Sequence, residues 1–122
     1  MSEETPERDV QIRAAIDEYH QAIAEQDRIR EETTRWQQEH PPPQKPETVT
    51  SVAQIDEYER KNEEWSVPYR EQLRMRDEAA VRAEKATENL TTLLPRDYGY
   101  VYKGHRYLVP SNTGKLGVSK KL

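Results

Sequence analysis

The chain has 122 residues, a net charge of −4 and no cysteine, and Leu, Ile, Val and Phe together number 20. That apolar share, about 16%, lies under the roughly 20% below which chains read as disordered, so a conventional globule around a large core of its own is not expected, and without cysteine neither a disulfide framework nor a thiolate metal site can form. Ala, Glu, Lys, Leu and Arg make up 52 residues, near the proportion of long helices and coiled coils, so the composition predicts a helical chain that borrows core from a partner or from copies of itself.

Residues 1–5 are expected to be disordered. Their acidic sequence, Met1-Ser2-Glu3-Glu4-Thr5, is unlike the basic then apolar start of a signal peptide, and no apolar run approaches the roughly 18 residues that cross a bilayer. A cytoplasmic protein, or one incorporated in an intracellularly assembled particle, is the expectation. A first helix is predicted over 6–40. Thr5 suits the N-cap, Pro6 the first helical position and Glu7 the positive end of the dipole. Ile12, Ala15, Tyr19, Ala22, Gln26, Ile29, Thr33 and Trp36 then recur at alternating steps of three and four, widened by Ile16 and Ile23, which keeps one stripe facing a partner. Asp9 with Arg13 and Glu31 with Arg35 are opposite-sign pairs for the exposed side.

Pro41-Pro42-Pro43 ends that helix and opens a stiff linker over 41–50. Pro43-Gln44-Lys45-Pro46 fits a bare PxxP, a pattern of two fixed residues that reads better as a spacer. A second helix over 51–94 opens on a capping box of Ser51 and Gln54. Its apolar positions (Ile55, Tyr58, Trp65, Leu73, Leu90 and Leu94 among them) thin into alanines, and Pro68 predicts a kink or break at 65–68 before Pro95 stops the helix. Two long helices joined by a short connector give an antiparallel hairpin. Gln26, Thr33, Asn62 and Arg76 on or near the stripes would leave such a pair poorly stabilised alone, so a homo-oligomer is expected. Its interface would comprise Ile12, Ile16, Tyr19, Ile23, Ile29, Trp36, Ile55, Tyr58, Trp65, Leu73, Leu90 and Leu94.

Over 96–110 the period changes to two. Tyr98, Tyr100 and Tyr102 alternate with Gly99 and Val101, Lys103-Gly104 offers a turn, and Arg106, Tyr107, Leu108 and Val109 run back toward Pro110. A two-residue loop sets Tyr100 against Tyr107 and Tyr98 against Val109, with Tyr98, Tyr100, Tyr102, His105, Tyr107 and Val109 on one face; a three-residue loop mixes the faces, and the sequence does not choose between them. A lone β-hairpin is marginal in water and must dock on the helices or pair with strands of another chain. Residues 111–122 read as a flexible or partner-ordered basic tail. From residue 96 onward six basic side chains face one acidic side chain, which leaves +5 there and −9 before it. Tyr98, Tyr100, Tyr102, Arg106, Tyr107, Lys115, Lys120 and Lys121 are therefore the candidate docking residues, for acidic helices, an acidic protein surface or, as the lesser reading, nucleic acid held by stacked tyrosines.

Little points to chemistry. Gly114-Lys115 fails as a phosphate loop, since Val109 stands at the first glycine position and Leu116 where Ser or Thr would ligate magnesium. Asp17 and His20 have i,i+3 spacing that could repeat in a bundle as metal ligands, but an ordinary helix surface explains one such pair. No catalytic residue, cofactor or metal is expected. The sequence thus predicts a mainly α chain, a long antiparallel helical hairpin or coiled coil with a small C-terminal β-hairpin. The function it suggests is a non-enzymatic structural or assembly protein, such as a component of a virion or other large assembly, that oligomerises through helical stripes and docks through its tyrosine-rich end. The alternative is a small adaptor that binds nucleic acid or an acidic partner through that end.

Overall fold

A computed structural model describes residues 4–120, with side chains from residue 7 onward. The capping role of the Thr5 side chain and the docking role of Lys121 lie outside the described residues. Two helices, α1 (Glu4–Glu39) and α2 (Val52–Leu93), pack against each other, and a three-stranded sheet of β1 (Tyr100–Tyr102), β2 (His105–Leu108) and β3 (Gly117–Lys120) follows. The chain divides into two compact units, Glu25–Ala80 and Met1–Ala24 with Val81–Leu122.

In the unit Glu25–Ala80, α1 and α2 run antiparallel. Ile29, Thr33 and Ala79 are its buried side chains, and the Thr33 hydroxyl approaches Gln72 Oε1 at 3.5 Å. An aromatic stack continues the seam: Trp36 lies 5.9 Å from Trp65 and 6.1 Å from Tyr69, and Trp65 stacks on Tyr69 at 4.6 Å. The Trp65 indole N–H donates to the His40 carbonyl at 2.7 Å, which satisfies an acceptor left open where α1 ends before Pro41. At the start of α2, the Gln54 side chain accepts from the backbone N–H of Thr50 at 2.8 Å. The predicted box is therefore shifted by one residue, with Gln54 reaching back past Ser51.

Of the kink or break expected at 65–68, the break is absent, because α2 continues through Pro68. Proline removes its own bond to the carbonyl of Glu64, but Glu64 is exposed and water can replace the lost donor. The Ser66 hydroxyl meanwhile donates to the Glu63 carbonyl at 2.9 Å one turn earlier.

The second unit holds the main core. Ile12, Ala15 and Ile16 of α1 pack with Leu90 and Leu94 at the end of α2 and with Tyr107 and Val109, and Tyr100, Tyr102 and Leu116 close its edge. Ala22, Ala83 and Ala86 form a smaller adjoining cluster beneath Tyr19 and Ile23, where short side chains let the helices approach closely. Arg8 donates to the Leu93 carbonyl at 3.3 Å, covering the C-terminal end of α2. Glu18 and Arg82 pair across the helices at 2.8 and 3.2 Å, an exposed bridge that solvent and salt screen heavily.

The two-residue loop is the one formed. Tyr100 pairs with Tyr107, Val101 with Arg106 and Tyr102 with His105, and both loop residues have left-handed backbones, Lys103 at φ 50° and Gly104 at φ 80°. That is the hairpin turn whose twist matches right-twisted strands. Two expectations are corrected. The sheet has a third strand, because β3 pairs antiparallel with β2 over Gly117–Lys120 in the segment read as a tail; with two glycines and three lysines in that segment, it draws its order from the ladder rather than from propensity. Tyr98 also does not face Val109. Val109 bridges to Arg96 instead, and Tyr98 stands out at 73% exposure.

Asp97 makes that rearrangement possible. At φ 68° it turns the chain out of α2, its N–H donates to the Val109 carbonyl at 3.0 Å, and its carboxylate accepts from the Ser111 N–H at 2.8 Å and the Ser111 hydroxyl at 2.5 Å. The clasp joins the entry to β1 with the exit from β2.

Candidate docking sites around the C-terminal sheet

One face of the sheet is spent on the chain's own helices. The Tyr100 hydroxyl donates to Asp9 Oδ1 at 3.0 Å and the Tyr102 hydroxyl to Asp17 Oδ2 at 3.2 Å, while Lys103 Nζ lies 3.1 Å from Asp17 Oδ1. Tyr107 is buried, with its hydroxyl 2.6 Å from His20 Nε2. Asp9 thus serves a tyrosine rather than the predicted pairing with Arg13. The Lys103 ammonium also lies 5.0 Å from the Tyr102 ring centre, so the strained turn residue is held twice.

Beside this seam Ile16, Asp17, His20, Gln21, Lys103, His105 and Tyr107 line an open recess of about 420 Å³. The rings of His20 and His105 are 5.6 Å apart. Burial, then the charge of His105, holds the His20 pKa below its ordinary 6.5, with Asp17 opposing and Lys103 adding to the shift. Burial raises the Tyr107 pKa, and neighbouring Tyr19 and Asp17 add to that shift. A phenol kept protonated beside an imidazole kept neutral makes a structural hydrogen bond. It does not make an activated nucleophile. Among the described residues no group of three or more His, Asp or Glu is placed to hold a metal ion, and Asp17, a candidate ligand, is already bound by Tyr102 and Lys103.

A second groove, about 640 Å³, is lined by Tyr19, Thr87, Glu88, Thr91, Thr92, Gly114, Lys115 and Leu116. The hydroxyls of Thr87 and Thr91 donate back to the carbonyls of Ala83 and Thr87, so the helical wall presents methyl groups and spare lone pairs. The groove ends at Leu116, the residue before β3.

The predicted interface residues divide sharply. Ile12, Ile16, Leu90 and Leu94 are buried under the sheet, and Tyr19 and Ile23 are half-buried over the alanine cluster. Ile29 is buried, Trp36 and Trp65 join the aromatic stack, Tyr58 and Leu73 are half-buried, and Ile55 is exposed. Of the predicted docking residues, Tyr107 is buried, Tyr100 and Tyr102 are half-buried, and Tyr98, Arg106, Lys115 and Lys120 are exposed. Sequence reasoning missed Asp9, Asp17 and His20 as the hydrogen-bond partners of the tyrosines. The available signal was their spacing, which flanks the Ile12 and Ile16 stripe along one side of α1. No helix among the described residues is long and apolar enough to cross a membrane. No protein-family model, curated protein or solved structure matches the chain.

Proposed function

We propose that the protein is a non-enzymatic assembly component that self-associates through the helices of Glu25–Ala80, as a coiled-coil-like pair completed by another copy. The observation that carries this reading is how few side chains that unit buries. Ile29, Thr33 and Ala79 are its fully buried residues, too little for a unit of this size to be stable unaided. Val49, Val52 and Ile55 are left exposed and Tyr58, Trp65 and Leu73 half-covered, a supply of apolar surface at the linker and along α2 that a second copy could bury. The stripe residues Ile12, Ile16, Leu90 and Leu94 take no part in this interface, since the C-terminal sheet already covers them. Stacking of nucleic-acid bases on Tyr100, Tyr102 and Tyr107 loses its appeal for the same reason.

Substituting Val52→Glu and Ile55→Glu together tests the reading. At tens of micromolar, light scattering should give a multimer for the natural chain and a smaller species for the double variant, with the circular dichroism of the C-terminal unit's aromatic residues retained. A natural chain that stays monomeric over that range refutes self-association.

A further inference from the structure

The sheet order β1-β2-β3 leaves the outer edge of β3 without a strand among the described residues, and all four residues of β3 are exposed. In an antiparallel ladder alternate residues aim both N–H and C=O away from the neighbour, so two residues of β3 offer unpaired backbone groups on that side. An edge of this kind accepts an added strand, and natural proteins protect it unless pairing is useful. The edge is guarded only by its shortness and by Lys120, with no proline in the strand, so it is closed to a basic strand but open to an acidic one.

Charge selects the occupant. Arg106 pairs with Ser119 across the ladder and Lys120 with His105, Lys115 immediately precedes the strand, and the guanidinium of Arg96 lies against Gly114. Arg106, Lys115 and Lys120 make no ion pair among the described residues, whereas Lys103 is paired with Asp17. A second copy of β3 would bring more lysines along the same ladder, and like charges facing one another destabilise a strand pair. The groove supplies a second feature. It starts at the Gly117 end of the edge and is walled by Tyr19, Leu116 and the threonine methyls, with Glu88 at its rim, so a residue entering it should be apolar and uncharged.

We infer that the outer edge of β3 binds an extended acidic segment of another protein as a fourth strand, with an apolar side chain of that segment in the groove at the Gly117 end. The backbone ladder gives the affinity, the lysines select an acidic sequence, and the groove fixes where the segment lies. This surface is separate from the helices proposed for self-association, so either can fail without the other.

The probe is a short N-acetylated peptide of alternating valine and glutamate, titrated into the full-length, isotopically labelled chain while backbone amide signals are followed. The expected result is a salt-sensitive shift centred on Gly117–Lys120 and Leu116, with new protection from hydrogen exchange in β3. N-methylation of alternate peptide residues should abolish binding in one phase and spare it in the other, and Lys120→Glu should weaken binding by about two- to fivefold. A peptide of alternating valine and lysine should not bind. The inference is overturned if the acidic peptide produces no shift up to about 1 mM, if both N-methylation phases bind equally, or if the same amides shift on raising the protein concentration alone, which would make a second copy the occupant.

Discussion

Within the C-terminal unit, single side chains decide how firmly the sheet stays on the helices. His20 shows this most clearly because its ring, hydrogen-bonded to Tyr107, sits in partial shelter facing His105, Asp17, Lys103 and Tyr107. Its folded pKa lies below the ordinary 6.5, so the unfolded chain takes up the proton first. Stability contributed by this group is therefore complete above about pH 6.5 and falls as the pH drops through that value toward the lower folded one. Protection of the β1 and β2 amides, taken relative to the base-catalysed intrinsic exchange rate at each pH, should fall between about pH 7.5 and 5.5, and His20→Gln should flatten the change. Protection that holds steady or rises on acidification would contradict this account. Asp97 acts in a different window: the Ser111 hydroxyl, then the Ser111 N–H, holds its pKa below the ordinary 3.8, so its loss comes only in stronger acid and does not overlap with that of His20.

At the scale of elements, Pro68 is the anomaly, an exposed proline inside a helix of 42 residues. A proline costs up to about 3 kcal/mol relative to alanine in a helix interior, so Pro68→Ala should raise the thermal midpoint, and an unchanged or lower midpoint would mean that the surroundings depend on the ring. The pattern of elements was legible where periodicity was strong. The stripe from Ile12 to Trp36 places α1, the triple proline ends it, and the alternation from Tyr98 to Val109 announces β1 and β2, with Lys103-Gly104 as the loop. What escaped reading depends on long-range partners. β3 has a weak intrinsic preference and exists because β2 offers it a ladder, Tyr98 was turned away by the left-handed Asp97, and the helix runs through Pro68 at a stretch where Glu64 and Pro68 are both exposed. The hairpin's need for a docking surface was readable from its size, since two short strands are marginal alone. That the surface would be Asp9, Asp17 and His20 of the same chain was not, because it requires knowing which stretch of α1 lies beside the end of α2.

Taken as a molecule, the chain distributes its few apolar residues unevenly. The unit containing the sheet closes its own core with Ile12, Ile16, Leu90, Leu94, Tyr107 and Val109, whereas Glu25–Ala80 fully buries Ile29, Thr33 and Ala79 and leaves Val49, Val52 and Ile55 in solvent. Under the proposed function these are two different kinds of stability, one intrinsic and one dependent on concentration. Hydrogen exchange of the full chain at low and high protein concentration separates them residue by residue. Protection should rise with concentration in residues 29–36 and 52–79 and stay constant in 12–16, 90–94 and 100–109; protection that is independent of concentration throughout, or that changes only in the C-terminal segment, would contradict assembly through the helices.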